Sequence, residues 1–153
     1  VRRTCHPGVE ALAHSLPQHA AAARRLEAEL YAAEARLAPE ARPCHGDFSP
    51  RQLFAAADSV WLVDVDGLCS SHPGFDVAGF RVGLQAHLGP AGPSAAARFL
   101  DGYTAGRPAP AGLALFEAFA WLRRAVIVWR KRPPNWDESL GVCLARGREL
   151  LAT

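Results

Sequence analysis

An aspartate in a tight loop, an amide five residues further on and a second aspartate at the end of an apolar run lie close together in this chain. They belong to the stretch His45-Gly46-Asp47-Phe48-Ser49-Pro50-Arg51-Gln52-Leu53-Phe54 and to Val63-Asp64-Val65-Asp66. The spacing suits a Mg²⁺-assisted phosphoryl transfer, in which one acid positions the attacking hydroxyl and an amide–carboxylate pair holds the metal. No other part of the sequence points so clearly to chemistry.

Such residues need a frame. Val60 to Val65 is a β-rich run of strand length, Leu53-Phe54 is a short apolar pair, and Asp58-Ser59 between them is a turn signal. A small hairpin is therefore expected, with the loop His45–Gln52 at its mouth. Gly67 and His72-Pro73-Gly74 then break the chain. Upstream, Pro17 to Leu37 reads as one helix started by Ser15 and Pro17, with Leu26, Leu30, Ala33 and Leu37 on one face. Its charged residues, Arg24, Arg25, Glu27, Glu29 and Glu34, fall at pairing distances and read as a solvated face. The helix ends near Pro39.

Downstream the pattern stays helical. One helix is expected over Phe75–Leu88, and a second, capped by Ser94, to about Thr104. Pro108 to Pro110 is a linker. A buried helix follows from Leu113 to Arg130, stopped by Pro133-Pro134, and an amphipathic one runs from Asp137 to Leu151 with Leu140, Leu144 and Leu151 inward. The fold class is mainly α (α+β), with one or two small β-hairpins around the loop.

At 153 residues and 50% hydrophobic content the chain can bury a core of its own. A formal charge of +2 is too small to imply nucleic acid or a membrane surface as partner. Its only lysine is Lys131, so the basic charge is almost all arginine. The most apolar window, Leu113 to Trp129, carries Glu117, Arg123 and Arg124 and is shorter than the ~20 residues of a membrane span. No signal peptide is legible, and a cytoplasmic protein is expected. Cys5, Cys44, Cys69 and Cys143 show no CxxC spacing, which fits a reducing setting. Zinc through Cys5, His6, Cys44 and His45 has no spacing to support it.

The stretch His45 to Gln52 resembles the catalytic loop of the aminoglycoside phosphotransferase and choline kinase-like family, in which His-Gly-Asp is followed, past a frequent proline, by Asn. Protein kinases carry a related His-Arg-Asp loop. Val63-Asp64-Val65-Asp66 resembles the family's second block, a strand ending in Asp-aromatic-Asp/Glu. Gly74-Phe75-Asp76-Val77-Ala78 resembles the third, Gly-x-Pro-x-x-Asp-Leu-Ala. The match is close over residues 44–80.

The resemblance implies an ATP-dependent phosphotransferase with Mg²⁺ as cofactor, acting on the hydroxyl of a small molecule. It implies that Asp47 is the catalytic base and that Asp64 holds Mg²⁺ against the nucleotide phosphates. Gln52 stands where the family has Asn. Its carbonyl oxygen suits the metal, but the extra methylene moves it by about 1.5 Å on an unchanged backbone. His45 is expected to orient the loop by hydrogen bonds, and Asp66 either joins the metal shell or faces solvent. Asp76 matches the structural aspartate that ties the catalytic loop in place, with a helix N-cap as its plainer role. Ser49 and Arg51 are candidates for approaching the transferred phosphate.

A kinase of this type also needs a nucleotide-binding lobe with a glycine loop, a strand lysine and a helix glutamate. None is legible here, so residues 1–153 read as the C-terminal lobe of a small-molecule kinase whose N-terminal lobe is expected from upstream sequence. The absence of methionine and the start at Val1 agree with a fragment. Two rivals remain. A degenerate kinase lobe acting through protein contacts is one, motivated by Gln52. A haloacid dehalogenase-type phosphatase is the other, motivated by the apolar run before Asp64-Val65-Asp66-Gly67. Between Val77 and Thr153, ten basic residues face five acidic ones, which favours a neutral or anionic alcohol over a cationic aminoglycoside.

Overall fold

A computed structural model describes the backbone of residues 2–152 and the side chains of residues 7–152. Six helices and four three-residue strands are assigned in it, and the chain divides into two compact units, Val1–Leu37 with Glu117–Thr153, and Ala38–Phe116. The mainly helical architecture with two small antiparallel pairs is the one expected from the sequence.

The first unit is built on α1 (Arg2–Ser15), α2 (Pro17–Glu34), the greater part of α5 (Leu113–Lys131) and α6 (Trp136–Leu151). Each helix buries a stripe at i, i+3, i+4 and i+7, as an amphipathic helix must. In α1 the stripe is Val9, Leu12 and Ala13, continued just past its end by Leu16; in α6 it is Leu140, Cys143, Leu144 and Gly147. Leu12, Leu26, Leu30, Leu122 and Leu140 are fully buried and form the centre of this core. Helix α5 is buried on most of its turns, as its composition predicts.

Several local expectations need correction. Helix α2 stops at Glu34, because Arg36 N–H bonds Ala33 O and Leu37 N–H bonds Glu34 O in tightened turns that close the helix end. Ser15 belongs to α1 and caps nothing; Leu16 precedes α2, and Pro17 starts it with its preset φ. Arg25 does pair with Glu29 at 2.8 Å, whereas Arg24 reaches Glu10 of α1, also at 2.8 Å. Glu27 is no solvated residue: it sits in the buried stripe between Ala23 and Leu30, and Tyr31 OH donates to its Oε1 at 2.8 Å. Burial of a carboxylate needs such a donor.

The second unit holds β1 (Arg42–Cys44), β2 (Leu53–Ala55), β3 (Val60–Leu62), β4 (Cys69–Ser71), α3 (Gly74–His87) and α4 (Gly92–Thr104). Strands β2 and β3 make the expected hairpin, with Leu53 opposite Leu62 and Ala55 opposite Val60. Strand β3 is shorter than the run Val60–Val65, because Asp64 turns into the left-handed region (φ 62°, ψ 47°) and a 3₁₀ turn, Val65–Gly67, follows. Strands β1 and β4 pair antiparallel across the whole motif, Cys44 lying opposite Cys69. Helix α4 starts at Gly92 rather than after Ser94. Pro93 is pre-organised for the first turn, and Ser94 Oγ donates to Ala91 O at 3.1 Å instead of capping an amide.

Phe48, Phe80 and Phe99 join the loop to α3 and α4. The Phe48 and Phe80 rings stack at 4.6 Å, Phe80 and Phe99 lie 4.4 Å apart, and Tyr103 extends the cluster. Such pairs contribute beyond their buried area, by about 0.5–1.5 kcal/mol each. By contrast the β2–β3 hairpin is exposed on both faces. Phe54, Val60, Trp61 and Leu62 are 59%, 68%, 64% and 47% accessible, and Val63, Val65 and Leu68 continue the apolar surface. Among the described residues no helix is long and apolar enough to cross a membrane.

Candidate active site

The loop His45–Gln52 leaves β1 and is held from three sides. The first is Asp76, in the first turn of α3. Its Oδ2 accepts the His45 N–H at 2.5 Å and its Oδ1 the Gly46 N–H at 3.0 Å, so one carboxylate clamps two consecutive amides. It does not cap α3: Pro73 occupies the cap position without a side-chain bond, and His72 Nδ1 accepts the Gly74 N–H at 3.1 Å. Asp76 thus bonds two amides of the loop and lies inside α3 rather than at its N-cap.

The second support is the hairpin. The buried His45 ring meets Val63 O at 3.0 Å through Nε2. A carbonyl oxygen only accepts, so Nε2 donates in this contact, while Nδ1 is buried without a hydrogen-bond partner. Val63 N–H in turn donates to Gln52 O at 3.0 Å. Loop, hairpin and the residue before Asp64 are thus one hydrogen-bonded unit.

The third support is a close approach of two glycines. Gly46 has φ +84°, and a Cβ placed on it would lie 2.3 Å from Gly67 O. A Cβ on Gly67 would lie 2.9 Å from His45 O. Only residues without side chains let these backbones touch, and the contact brings Asp47 beside the turn that contains Asp66. On the other side, the loop lies along α3 at Gly79 and Gly83. A Cβ at Gly83 would meet Pro50 Cδ at 2.6 Å.

Within this frame Asp47 and Arg51 are exposed, Ser49 is half-buried, and Gln52 is buried. The Ser49 hydroxyl donates to Gln52 Oε1, which orients the amide. Asp64 and Asp66 are exposed, the first in its left-handed conformation at the end of β3, the second in the 3₁₀ turn that follows. Asp tolerates that conformation better than most residues, but it still carries a cost of about 1–3 kcal/mol, and such outliers cluster at functional sites. Burial, reinforced by the charges of Asp76 and Cys69, pushes the Cys44 thiol up to about 11.

The donors suit a hard cation: an amide oxygen at Gln52 and carboxylates at Asp64 and Asp66. Among the described residues no three His, Cys, Asp or Glu side chains form a ready metal cage. Mg²⁺ is commonly held by one or two carboxylates together with substrate phosphates, so an open donor set of this kind fits it. A zinc site through Cys5 and His6 involves side chains outside the described residues.

Three residues around the loop have a supporting role that sequence reasoning, which read them only as a motif member and as chain breaks, did not assign. Phe48 is its apolar anchor, signalled by a lone aromatic in a polar loop. His72 accepts the Gly74 N–H at the start of α3 and stacks on Phe116 at 4.5 Å, and Gly67 makes room for Gly46. The arginines counted toward an acceptor site divide: Arg81, Arg98 and Arg107 lie in the unit that holds the loop, the others in the first unit. The two antiparallel pairs and the helices after them also remove the dehalogenase-type reading, which needs strands alternating with helices.

No curated protein matches the chain in sequence. Among solved structures, a choline/ethanolamine kinase family protein from Mesorhizobium loti is similar over 97% of this chain, with a TM-score of 0.64 and 14% identity. The chain spans 54% of that protein's length. At this identity the likeness is one of fold, a helical lobe of the protein kinase-like type. The match to a family reaches well beyond residues 44–80 in both directions: residues 3–116 match the phosphotransferase enzyme family (APH), and the chain belongs to that family.

Proposed function

We propose that this chain is the C-terminal, catalytic-loop and substrate lobe of an ATP-dependent phosphotransferase that moves the γ-phosphate onto a hydroxyl of a small molecule. The observation that carries the reading is the Asp76 clamp on His45 and Gly46, together with the Gly46–Gly67 contact. Between them they hold an exposed Asp47 beside the turn Val65–Gly67, with Gln52 buried at the start of the hairpin and Asp64 and Asp66 exposed at its end.

In this proposal Asp47 accepts a hydrogen bond from the acceptor hydroxyl, aims it at the γ-phosphorus and takes its proton as the new P–O bond forms and the bond to ADP breaks. His45, locked on Val63 O, keeps the loop in register and moves no proton. Ser49 and Arg51 lie on the loop four and two residues before Leu53, the first residue of β2, where they would approach the transferred phosphate and Arg51 would add positive charge. Gln52, Asp64 and Asp66 would hold Mg²⁺, which supplies neutralisation of the phosphate oxygens when bound. Positioning and charge carry most of the rate in such reactions.

The exposed apolar hairpin supports the two-lobe part of the proposal. Seven exposed large apolar residues, Phe54, Val60, Trp61, Leu62, Val63, Val65 and Leu68, are what an interaction site would carry, and they flank the proposed metal ligands Asp64 and Asp66 in the chain. We assign them to the nucleotide and to an N-terminal nucleotide-binding lobe. The acceptor is a small-molecule alcohol; the ten-to-five basic balance of residues 77–153 favours a neutral or anionic one, although the loop's own unit carries five arginines against seven carboxylates.

The test is Asp47→Ala in the full-length protein. Transfer is expected to fall by orders of magnitude while Mg²⁺-dependent ATP binding persists. Turnover retained in that variant refutes the assignment of the base. Absence of Mg²⁺-dependent ATP binding, both to this chain and to one extended upstream, favours a non-catalytic lobe instead. The Gln52 substitution, whose Oε1 is already engaged by Ser49, is the observation that keeps that second reading open.

A further inference from the structure

Strands β1 and β4 bring two thiols to the base of the loop. Cys44 and Cys69 are directly opposite in the antiparallel register, and both are free thiols. Directly opposite residues of an antiparallel pair share a face, with Cα atoms about 4.5–5.5 Å apart. A disulfide spans Cα separations of about 4.4–6.8 Å, so the pairing lies within its reach. Cys69 Sγ also borders the loop, since a Cβ at Gly46 would lie 3.3 Å from it.

We propose that Cys44 and Cys69 form a reversible disulfide, driven by low-molecular-weight disulfides, that fastens both ends of the catalytic loop's support. The chemistry is a two-electron exchange. Exposed Cys69 loses its proton, and its thiolate attacks one sulfur of the small disulfide and expels the other as a thiolate, leaving a mixed disulfide. Cys44 then loses its proton and attacks Cys69 Sγ; the Cys44–Cys69 bond forms and the second small thiol leaves. Two protein thiols are oxidised, and one small disulfide is reduced to two thiols.

The order follows from exposure. Cys69 is open to solvent, whereas Cys44 is buried and its sulfur donates weakly to Ser71 O at 3.4 Å. Burial of Cys44 disfavours its thiolate, so the second step is the slow one. Formation of the bond draws β1 and β4 together at the point where His45 N–H and Gly46 N–H are clamped and where Gly67 O touches Gly46. Such a crosslink acts on the loop without touching Asp47, Gln52 or Asp64. In a reducing compartment it is a transient, regulatory disulfide rather than a structural one.

The disulfide stands apart from the phosphotransferase reading and is tested on this chain without any substrate. The reduced protein is incubated with oxidised glutathione and analysed by intact mass and peptide mapping. The expected product has lost two hydrogens and contains one peptide pair joined through Cys44 and Cys69, and dithiothreitol restores it. Cys44→Ser stops at one glutathione on Cys69. Cys69→Ser, a change at an exposed position that leaves the core intact, shows no crosslink and no adduct on Cys44. A bond from Cys69 to another cysteine, an intermolecular dimer, or a stable glutathione adduct on Cys69 in the unsubstituted chain overturns the proposal. A raised Tm for the oxidised form, absent in Cys69→Ser, is expected because the crosslink restricts the unfolded chain.

Discussion

The Asp76 clamp is the contact on which the site's geometry depends most. Its two oxygens accept from two different amides, His45 N at 2.5 Å and Gly46 N at 3.0 Å. A hydrogen bond to a charged acceptor contributes a net of about 1.5–3 kcal/mol, and both are part-buried, so their joint loss in Asp76→Ala costs about 3 kcal/mol at the lower end. Asp76→Asn keeps one acceptor and turns an NH₂ toward the other amide, which preserves at most half of this. Because each 1.4 kcal/mol is about tenfold, the local opening that exposes the two amides becomes roughly a hundredfold more frequent in the alanine variant. Amide hydrogen exchange at His45 and Gly46 reads this directly. Amides of α6, in the other unit, serve as the internal reference. Exchange at His45 and Gly46 that rises about a hundredfold, with α6 unchanged, is the expected result. Unchanged protection at both positions would falsify the clamp and, with it, the positioning of Asp47 argued above.

Gly46→Ala should destabilise the second unit by more than 2 kcal/mol, on the order of the strain of a non-glycine at positive φ plus a collision with Gly67 O, as judged by urea unfolding. Leu26→Ala or Leu122→Ala, both in the fully buried core of the first unit, should cost about 2–5 kcal/mol in the same assay. Cys44 and Cys143 are each raised from 9.0 to about 11, chiefly by burial. The folded state therefore favours their protonated forms: this contribution to stability is complete below pH 9 and declines as pH rises from 9 to 11, which a series of unfolding curves will record. At pH 8 iodoacetamide should accordingly modify exposed Cys69 well before Cys44 or Cys143, with mass mapping as the check. Trp61→Ser should leave the chain's stability within about 0.5 kcal/mol, since the ring is exposed, while weakening Mg²⁺-dependent ATP binding in the full-length protein.

Much of this molecule is local physics and was legible in the sequence. Apolar residues at i, i+3, i+4 and i+7 specify the helices, Pro17 starts one and Pro133-Pro134 ends another, and Asp58-Ser59 closes the β2–β3 hairpin. The three motif blocks, and through them the family, are visible in residue types and order alone. What the sequence does not contain is the pairing of segments far apart along it. That Asp76 turns its carboxylate to His45 and Gly46 rather than to its own helix end depends on where β1 meets α3. The pairing of β1 with β4, which sets Cys44 against Cys69, spans 25 residues and leaves no local signal. Glu27 reads as a surface charge until Tyr31 and its buried stripe are seen, and Val60 to Val65 reads as one strand until the left-handed turn at Asp64 is seen. Helix periodicity and turn chemistry act within a few residues and are written in order. Hydrogen-bond clamps, glycine contacts and solvent exposure arise only when distant segments meet, and those decided the shape of the candidate site.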